Sequence, residues 1–129
     1  MTPRDRGSEE LFHLALRDEW ERAVAGGDDD YRRSTIGRSL EEVGFIHCSF
    51  REQAQGVADL FYAGRDDVVL LCIDIALVHA EVRVENLDGG AILFPHVYGP
   101  LPLSAVKLVS SVSSGTDGRL DVQRAMDNG

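Results

Sequence analysis

Cysteine is scarce in this sequence, which argues against a fold held together by disulfides. The chain of 129 residues contains two cysteines, and each stands inside an apolar run, Cys48 in GFIHCSF and Cys72 in DDVVLLCIDI. A thiol among apolar neighbours usually behaves as a small buried hydrophobe. Two separated cysteines of this kind are typical of a protein kept in a reducing compartment, so we expect a cytoplasmic location.

Positive charge is also in short supply. Lysine and arginine together number 13 against 22 aspartates and glutamates, a formal net charge of −9 at pH 7. A field of that sign repels phosphate backbones, which makes an extended nucleic acid an unfavourable partner. A small nucleotide or a protein is the partner that we expect.

Long hydrophobic runs are missing as well. No window approaches the roughly 18 consecutive apolar residues that a membrane span requires, and the first ten residues, MTPRDRGSEE, have no apolar segment behind their arginines. We therefore expect no membrane contact, a flexible segment over 1–10 and a single domain over 11–112. The polar stretch 113–129 predicts a mostly disordered tail, although LDVQRAM would form a helical turn if it docked.

Strand and helix signals alternate along the domain. Strands are predicted at LFHLALR, GFIHCS, DDVVLLCIDI, EVRVENL, ILFPHVYG and AVKLVSSV, and the third of these has the continuous apolar character of a buried central strand. Helices are predicted at RDEWERAVAGG, at SLEEVG and from Phe50 to about Gly64. Ser39 with Glu42, and Ser49 with Glu52, have the spacing of capping boxes. Because helices come early and strands late, we predict an α+β domain.

Strand periodicity places the histidines. Successive side chains point to opposite faces of a strand, so His13 and His47 each lie on the less apolar face of their strands. His96 and Tyr98 share a face of the FPHVYG strand in the same way. If these faces coincide, the four side chains line one polar cleft, while Cys48 is left to the core.

Other interpretations of these residues stay open. Each histidine has the alternative of being a hydrogen-bonded structural residue. A nucleophilic Cys48 paired with His96 would need a lowered thiol pKa, which apolar neighbours oppose. A zinc site of His13, His47 and His96 lacks a closely spaced histidine pair, and the acidic run at 28–30 lacks the spacing of a calcium loop. We therefore assign no metal.

Several segments together resemble a known family. FHLALRDEW, STIGRSLEEVGFIHCSF followed by Gln53, FYAGRDDVVLLCID, EVRVENLDGG and FPHVYGPLPLSAV are similar to the mostly bacterial family called domain of unknown function 952. The resemblance covers most of the chain. It implies an ADP-ribosyltransferase-like fold, a split and curved, mainly antiparallel sheet with an NAD cleft between its halves.

The resemblance also implies roles for single residues. His13 matches the position that contacts the adenosine ribose of NAD, and His47 the position near the nicotinamide ribose. Active relatives carry a glutamate at a third position on a late strand, where this chain has His96 and Tyr98. The nearest carboxylates precede that strand and belong to Glu85 and Asp88.

The loop between the first two histidines is rich in candidate diphosphate ligands. Arginine forks match phosphate oxygens, so the predicted NAD-binding residues are Arg32, Arg33, Ser34, Thr35 and Arg38. Three classes of function follow from these observations. They are an NAD-using enzyme of ADP-ribosyltransferase type, a non-catalytic nucleotide-binding or interaction module on the same fold, and a metal-dependent hydrolase.

Overall fold

A computed structural model of the protein describes residues 10–27, 29–86, 90–115 and 117–127. The predicted flexible segment 1–10, apart from Glu10, and the candidate carboxylate Asp88 therefore lie outside the described residues. The strands are β1 (Glu10–Leu16), β2 (Asp30–Tyr31), β3 (Arg33–Thr35), β4 (Arg38–Ser39), β5 (Ile46–His47), β6 (Val68–Asp74), β7 (Glu81–Glu85), β8 (Phe94–Tyr98), β9 (Leu101–Pro102) and β10 (Val106–Ser111). The α-helices are α1 (Arg17–Ala25), α2 (Leu40–Val43), α3 (Ala54–Phe61) and α4 (Val122–Asp127). This is the α+β class that the sequence predicts.

The longest sheet is built around β6, as its apolar run predicts. This strand pairs antiparallel with β1 on one side and β10 on the other, and its residues 68–73 are all buried. A central strand must bury both of its faces, so the continuous apolar run has a direct structural cause.

A second antiparallel sheet has the order β5-β8-β7, and it meets the first at one point. The chain leaves β5 and reaches Ser49, which forms an isolated bridge with Phe12 of β1. Two backbone hydrogen bonds make this bridge, Phe12 N to Ser49 O at 2.8 Å and Ser49 N to Phe12 O at 2.7 Å. The segment GFIHCS thus belongs to one sheet and touches the other, which gives the split, mainly antiparallel arrangement.

The β1-β6-β10 sheet separates two hydrophobic cores. Phe12, Leu14 and Leu70 face the first core, which α3 and α4 cover. Leu11 and Leu71 face the second core, which the β5-β8-β7 sheet and the segments around it enclose. Both faces of β1 are therefore buried. The less apolar face that carries His13 is not an open one, since only 2% of the His13 surface is exposed.

Helix caps are partly as predicted. Ser39 and Glu42 form the expected capping box at α2: the Glu42 amide donates to the Ser39 hydroxyl, and the Glu42 carboxylate accepts from the Ser39 amide. The box predicted for Ser49 and Glu52 is absent from α3. Helix α3 instead begins after Gln53, whose side-chain oxygen accepts a hydrogen bond from the Phe50 amide at 3.0 Å.

The segment after Ser113 differs from the prediction of a mostly disordered tail. Leu120, Val122, Ala125 and Met126 are buried in the first core, and the Val122 amide donates to the side-chain oxygen of Gln55 at 3.0 Å. The short LDVQRAM pattern carries enough apolar surface to dock because α3 and β6 leave a matching face open. The sequence alone does not display that face.

The charged stretch between α1 and α2 is also more ordered than predicted. It contributes β2, β3 and β4, and β2 pairs with β9 through Tyr31 and Leu101, both of them buried. Tyr31 supplies the apolar anchor of the stretch. None of the helices in the described ranges is long and apolar enough to cross a membrane.

Candidate functional site

A cavity of about 560 Å³ opens beside the point where the two sheets meet. Its wall is mostly apolar and is formed by α3, by strands β1, β3 and β5, and by the segments before β5 and before β8. The lining residues are His13, Leu14, Ser34, Thr35, Val43, Phe45, His47, Ser49, Glu52, Gln53, Gly56, Val57, Leu60, Phe61, Tyr62, Ile92 and Phe94. Cavities of this size and character commonly hold small organic ligands.

His13 lies at the inner wall with both ring nitrogens engaged. Nδ1 is 2.6 Å from the backbone oxygen of His47, and Nε2 is 3.0 Å from the hydroxyl of Tyr31. A carbonyl oxygen can only accept, so Nδ1 carries the proton and Nε2 accepts the Tyr31 O–H. Burial lowers the pKa of His13 to about 4, so the ring is neutral at physiological pH. These bonds make His13 a structural link rather than an available base.

His47 is half-buried in the cavity wall, next to two other rings. Its ring centroid lies 5.4 Å from that of Phe94 and 5.4 Å from that of His96. The alternation argument is correct here, because Phe45, His47 and Ser49 line the cavity while Ile46 and Cys48 enter the second core. His47 is therefore the predicted histidine with a ring best placed to meet a ligand.

His96 and Tyr98 do not line the cavity and belong to a neighbouring cluster. His96 Nδ1 lies 2.9 Å from a carboxylate oxygen of Glu85, and the Tyr98 hydroxyl donates to the same oxygen. The bond from Tyr98 is the main cause of a lowered Glu85 pKa, with His96 second, and the carboxylate raises the pKa of Tyr98. His96 also stacks on Phe45, with centroids 4.2 Å apart, and so supports the cavity wall from behind.

The predicted arginines lie outside the cavity and face carboxylates. Arg32 pairs with Asp30 at 3.0 Å and Glu41 at 3.4 Å. The Nε atom of Arg33 is 2.7 Å from a Glu19 oxygen. Hydrogen bonds with Ser39 are the main cause of a lowered Glu42 pKa, and the charge of Arg38 lowers it further. Arg32 and Arg33 therefore lie beside carboxylates, although the buried Nε atom of Arg33 forms no hydrogen bond with a described residue.

Hydroxyl groups reach the cavity from three places. Ser34 and Thr35 belong to β3, and Ser49 lies at the joint between the sheets; Ser34 and Ser49 are buried. Tyr62 also contributes to the wall, but its hydroxyl donates to the backbone oxygen of Leu14 at 3.0 Å. The structure thus brings the predicted residues Ser34 and Thr35 together with His13 and His47.

Sequence reasoning missed several lining residues. Phe45 and Phe94 were not predicted as site residues, and Glu52 was predicted as part of a capping box, but all three line the cavity. Phe61, Leu60 and Ile92 line the cavity as well, and they are 62%, 78% and 60% exposed, which places them at its mouth. The adjacent apolar residues Leu60 and Phe61, near the predicted end of the helix, were the signal available in the sequence.

Gln53 connects the two sides of the mouth. Its side-chain amide donates to the backbone oxygen of Leu93 at 2.6 Å while its oxygen accepts from Phe50. Asn86 also binds the segment that carries Ile92. Its side-chain nitrogen donates to the backbone oxygen of Ile92 at 2.5 Å, and its side-chain oxygen accepts from the Gly90 amide. Side-chain amides therefore hold the rim in place.

Neither Cys48 nor a cluster of acidic residues forms a second centre within the described part of the chain. Burial raises the pKa of the Cys48 thiol to about 12, and the side chain is enclosed in the second core. Within the described ranges, no three His, Cys, Asp or Glu side chains are grouped so as to hold a metal ion. The trio of His13, His47 and His96 lacks that geometry because His13 is bonded at both nitrogens.

Comparison with known proteins places the chain in a family. The family model described as "Protein of unknown function (DUF952)" matches residues 14–109. The crystal structure of protein CC0527 from Caulobacter crescentus is 29% identical, with a TM-score of 0.76 over 92% of this chain and 98% of that chain. The solution NMR structure of CC0527 is 30% identical, with a TM-score of 0.73 over 89% and 94% of the two chains. No curated protein matches this chain. The protein belongs to the DUF952 family of proteins of unknown function.

Proposed function

We propose that the protein binds a nucleoside-type ligand in the cavity beside the sheet joint, with the nicotinamide nucleoside portion of NAD as the first candidate. The observation that supports this proposal is the cavity itself. The cavity has a volume of about 560 Å³, and its wall brings His47 together with Ser34 and Thr35 from a different strand. A pocket with an apolar wall and a few placed polar groups is the usual form of a small-molecule site.

The wall suits a ligand made of a ring and a sugar. Phe45 and Phe94 offer aromatic surface against which a base or a nicotinamide ring can pack. The hydroxyls of Ser34, Thr35 and Ser49 can donate to and accept from ribose hydroxyls. His47 stands beside Phe94 and would contact the same part of the ligand.

An ADP-ribosyltransferase-like fold is part of the same proposal. Two antiparallel sheets that meet at Ser49, with a cavity beside their joint, agree with the split sheet that the family resemblance implies. In a reaction of that type the bond between ribose and nicotinamide breaks through an oxocarbenium-like state, which a nearby carboxylate stabilises. Nicotinamide leaves with the bonding electrons, and water forms the new bond to the ribose carbon and releases a proton to solvent. Of the lining residues that the structure describes, Glu52 is the one with a carboxylate, so we assign it that role.

Gly56 allows a test that does not disturb the fold. It lies on the cavity side of α3, and a Cβ atom added there meets nothing within 4 Å. Gly56→Ala is expected to keep the cavity open and to stabilise the helix by about 0.5–1 kcal/mol. Gly56→Phe is expected to fill the cavity. The two variants differ at one exposed helical position, so they control for each other.

Calorimetric titration with NAD, nicotinamide riboside and ADP-ribose, followed by chromatography for released nicotinamide, tests the proposal. Binding by the wild type and Gly56→Ala, and its loss in a folded Gly56→Phe, would support the site. Release of nicotinamide would indicate the enzyme, and binding without release the non-catalytic module. If none of the three ligands binds, or if Gly56→Phe binds as well as the wild type, the proposal is wrong.

A further inference from the structure

We infer, on the basis of the proposed function, that the cavity accepts the part of a ligand that carries no negative charge. The preferred ligand is then an unphosphorylated nucleoside with a neutral or cationic ring, rather than a nucleotide. This inference concerns the charge of the ligand and rests on the charges around the cavity. The unphosphorylated nucleoside is thus preferred over NAD and over nucleotides in general.

The part of the cavity wall that the structure describes offers a phosphate no permanently charged cation. Among the described residues that line it, neither lysine nor arginine is present, and Glu52 contributes a carboxylate. A phosphate transferred from water into such a surrounding loses its hydration without gaining a charged partner, which costs binding free energy. A cationic ring in the same place would gain from the carboxylate and from neighbouring aromatic side chains.

The arginines nearest in sequence are directed elsewhere. Arg32 and Arg33, which flank the β3 strand that supplies Ser34 and Thr35, contact Asp30 and Glu19. Arg51 precedes Glu52, but its guanidinium lies 3.4 Å from a Glu10 oxygen and 5.1 Å from the ring centroid of Phe12. Their charges are thus directed to other carboxylates instead of to the ligand.

The cavity mouth is equally unsuited to a phosphate. Leu60, Phe61 and Ile92 line it, and each of them is more than half exposed. If the sugar bound inside the cavity, a phosphate attached to it would lie at the mouth, in contact with apolar side chains. The net charge of −9 adds a long-range repulsion of the same sign.

Two ligands that differ by one phosphate test the inference. Nicotinamide riboside and nicotinamide mononucleotide share the ring and the sugar, so their affinities isolate the phosphate. Calorimetry at low ionic strength is expected to give an affinity about tenfold higher for the riboside, a difference of about 1.4 kcal/mol, since the phosphate is repelled by the like charge of the wall. Added salt is expected to narrow the difference, because it screens exposed charges.

A matched pair of variants locates the effect at the cavity. Glu52→Gln removes the carboxylate on the wall, and Glu21→Gln removes an exposed carboxylate on α1 that does not line the cavity. Both variants change the net charge equally. Glu52→Gln is expected to weaken riboside binding several-fold and to reduce the preference over the mononucleotide, while Glu21→Gln leaves both unchanged.

The outcomes separate this inference from the proposed function. If the mononucleotide or NAD binds as tightly as the riboside or more tightly, the charge selection is wrong and the site itself stands. Equal effects of the two glutamate variants would also overturn it. If no ring-bearing ligand binds at all, the proposed function fails before the question of charge arises.

Discussion

The Nδ1 atom of His13 lies 2.6 Å from the backbone oxygen of His47, which ties β1 to β5 at the wall of the cavity. The second ring nitrogen accepts from Tyr31 of β2. One imidazole thus connects three strands, and it does so from a position that is 2% exposed.

Replacing this ring tests its structural role. His13→Ala is expected to lower the free energy of unfolding by about 3 kcal/mol, because it leaves a buried hydroxyl and a buried carbonyl without their partner and opens a void. Denaturant unfolding measures the loss. His79, which is exposed, is the matched control, and His79→Ala should stay within about 0.5 kcal/mol of the wild type. A His13→Ala protein as stable as that control would show that the two hydrogen bonds contribute nothing.

The same histidine predicts a pH dependence. Its pKa is about 4 in the folded protein against an ordinary value of 6.5, so between these values the unfolded chain binds a proton that the folded chain does not. The free energy of unfolding should therefore decrease by about 3 kcal/mol as the pH falls from about 6.5 to about 4. Below that range the protonation of His13 should cause no further decrease. When the free energy of unfolding is plotted against pH over this range, the slopes for the wild type and for His13→Asn should differ. Parallel plots would contradict the lowered pKa of His13.

The terminal helix is expected to stabilise the whole domain. Met126→Ala removes a side chain that is 9% exposed in the first core, and we expect it to cost about 2–4 kcal/mol. Gln123→Ala alters an exposed position of the same helix and should cost less than about 0.5 kcal/mol. Thermal unfolding of the two variants decides between a docked helix and a dispensable one, since equal melting temperatures would refute the docking.

Cys48 is expected to serve the core alone. Cys48→Ala should lower the free energy of unfolding by about 1 kcal/mol, because a buried thiol is replaced by a smaller group. Binding of nicotinamide riboside should not change, since the side chain faces the second core and not the cavity. A variant with unchanged stability and no binding would make Cys48 a site residue.

Local patterns predicted much of the fold. The apolar run of β6 and the capping box of Ser39 and Glu42 need only their own segments, and both are confirmed. Alternation also placed Cys48 in the core and His47 at the cavity. These features depend on neighbours within a few residues, which a sequence displays directly.

The incorrect predictions depend on partners far along the chain. His13 was expected to avoid the core because its face of β1 is less apolar, yet that face is covered by a second core containing Ile46 and Val97. Tyr31, from a stretch that resembles a charged loop, supplies the hydroxyl that satisfies the buried ring. Arg32 and Arg33 resemble a phosphate clamp in sequence, and only the fold reveals the carboxylates that face them.

The bridge between Phe12 and Ser49 has a consequence for hydrogen exchange. A single reciprocal pair of backbone bonds joins the two sheets there, whereas Leu70 in the centre of β6 is paired on both sides. Sub-global opening requires least free energy where the fewest bonds must break. The amides of Phe12 and Ser49 should therefore exchange faster than those of Leu70 and Leu71. Because the cavity lies beside this joint, a ligand bound there should slow exchange at these two amides first.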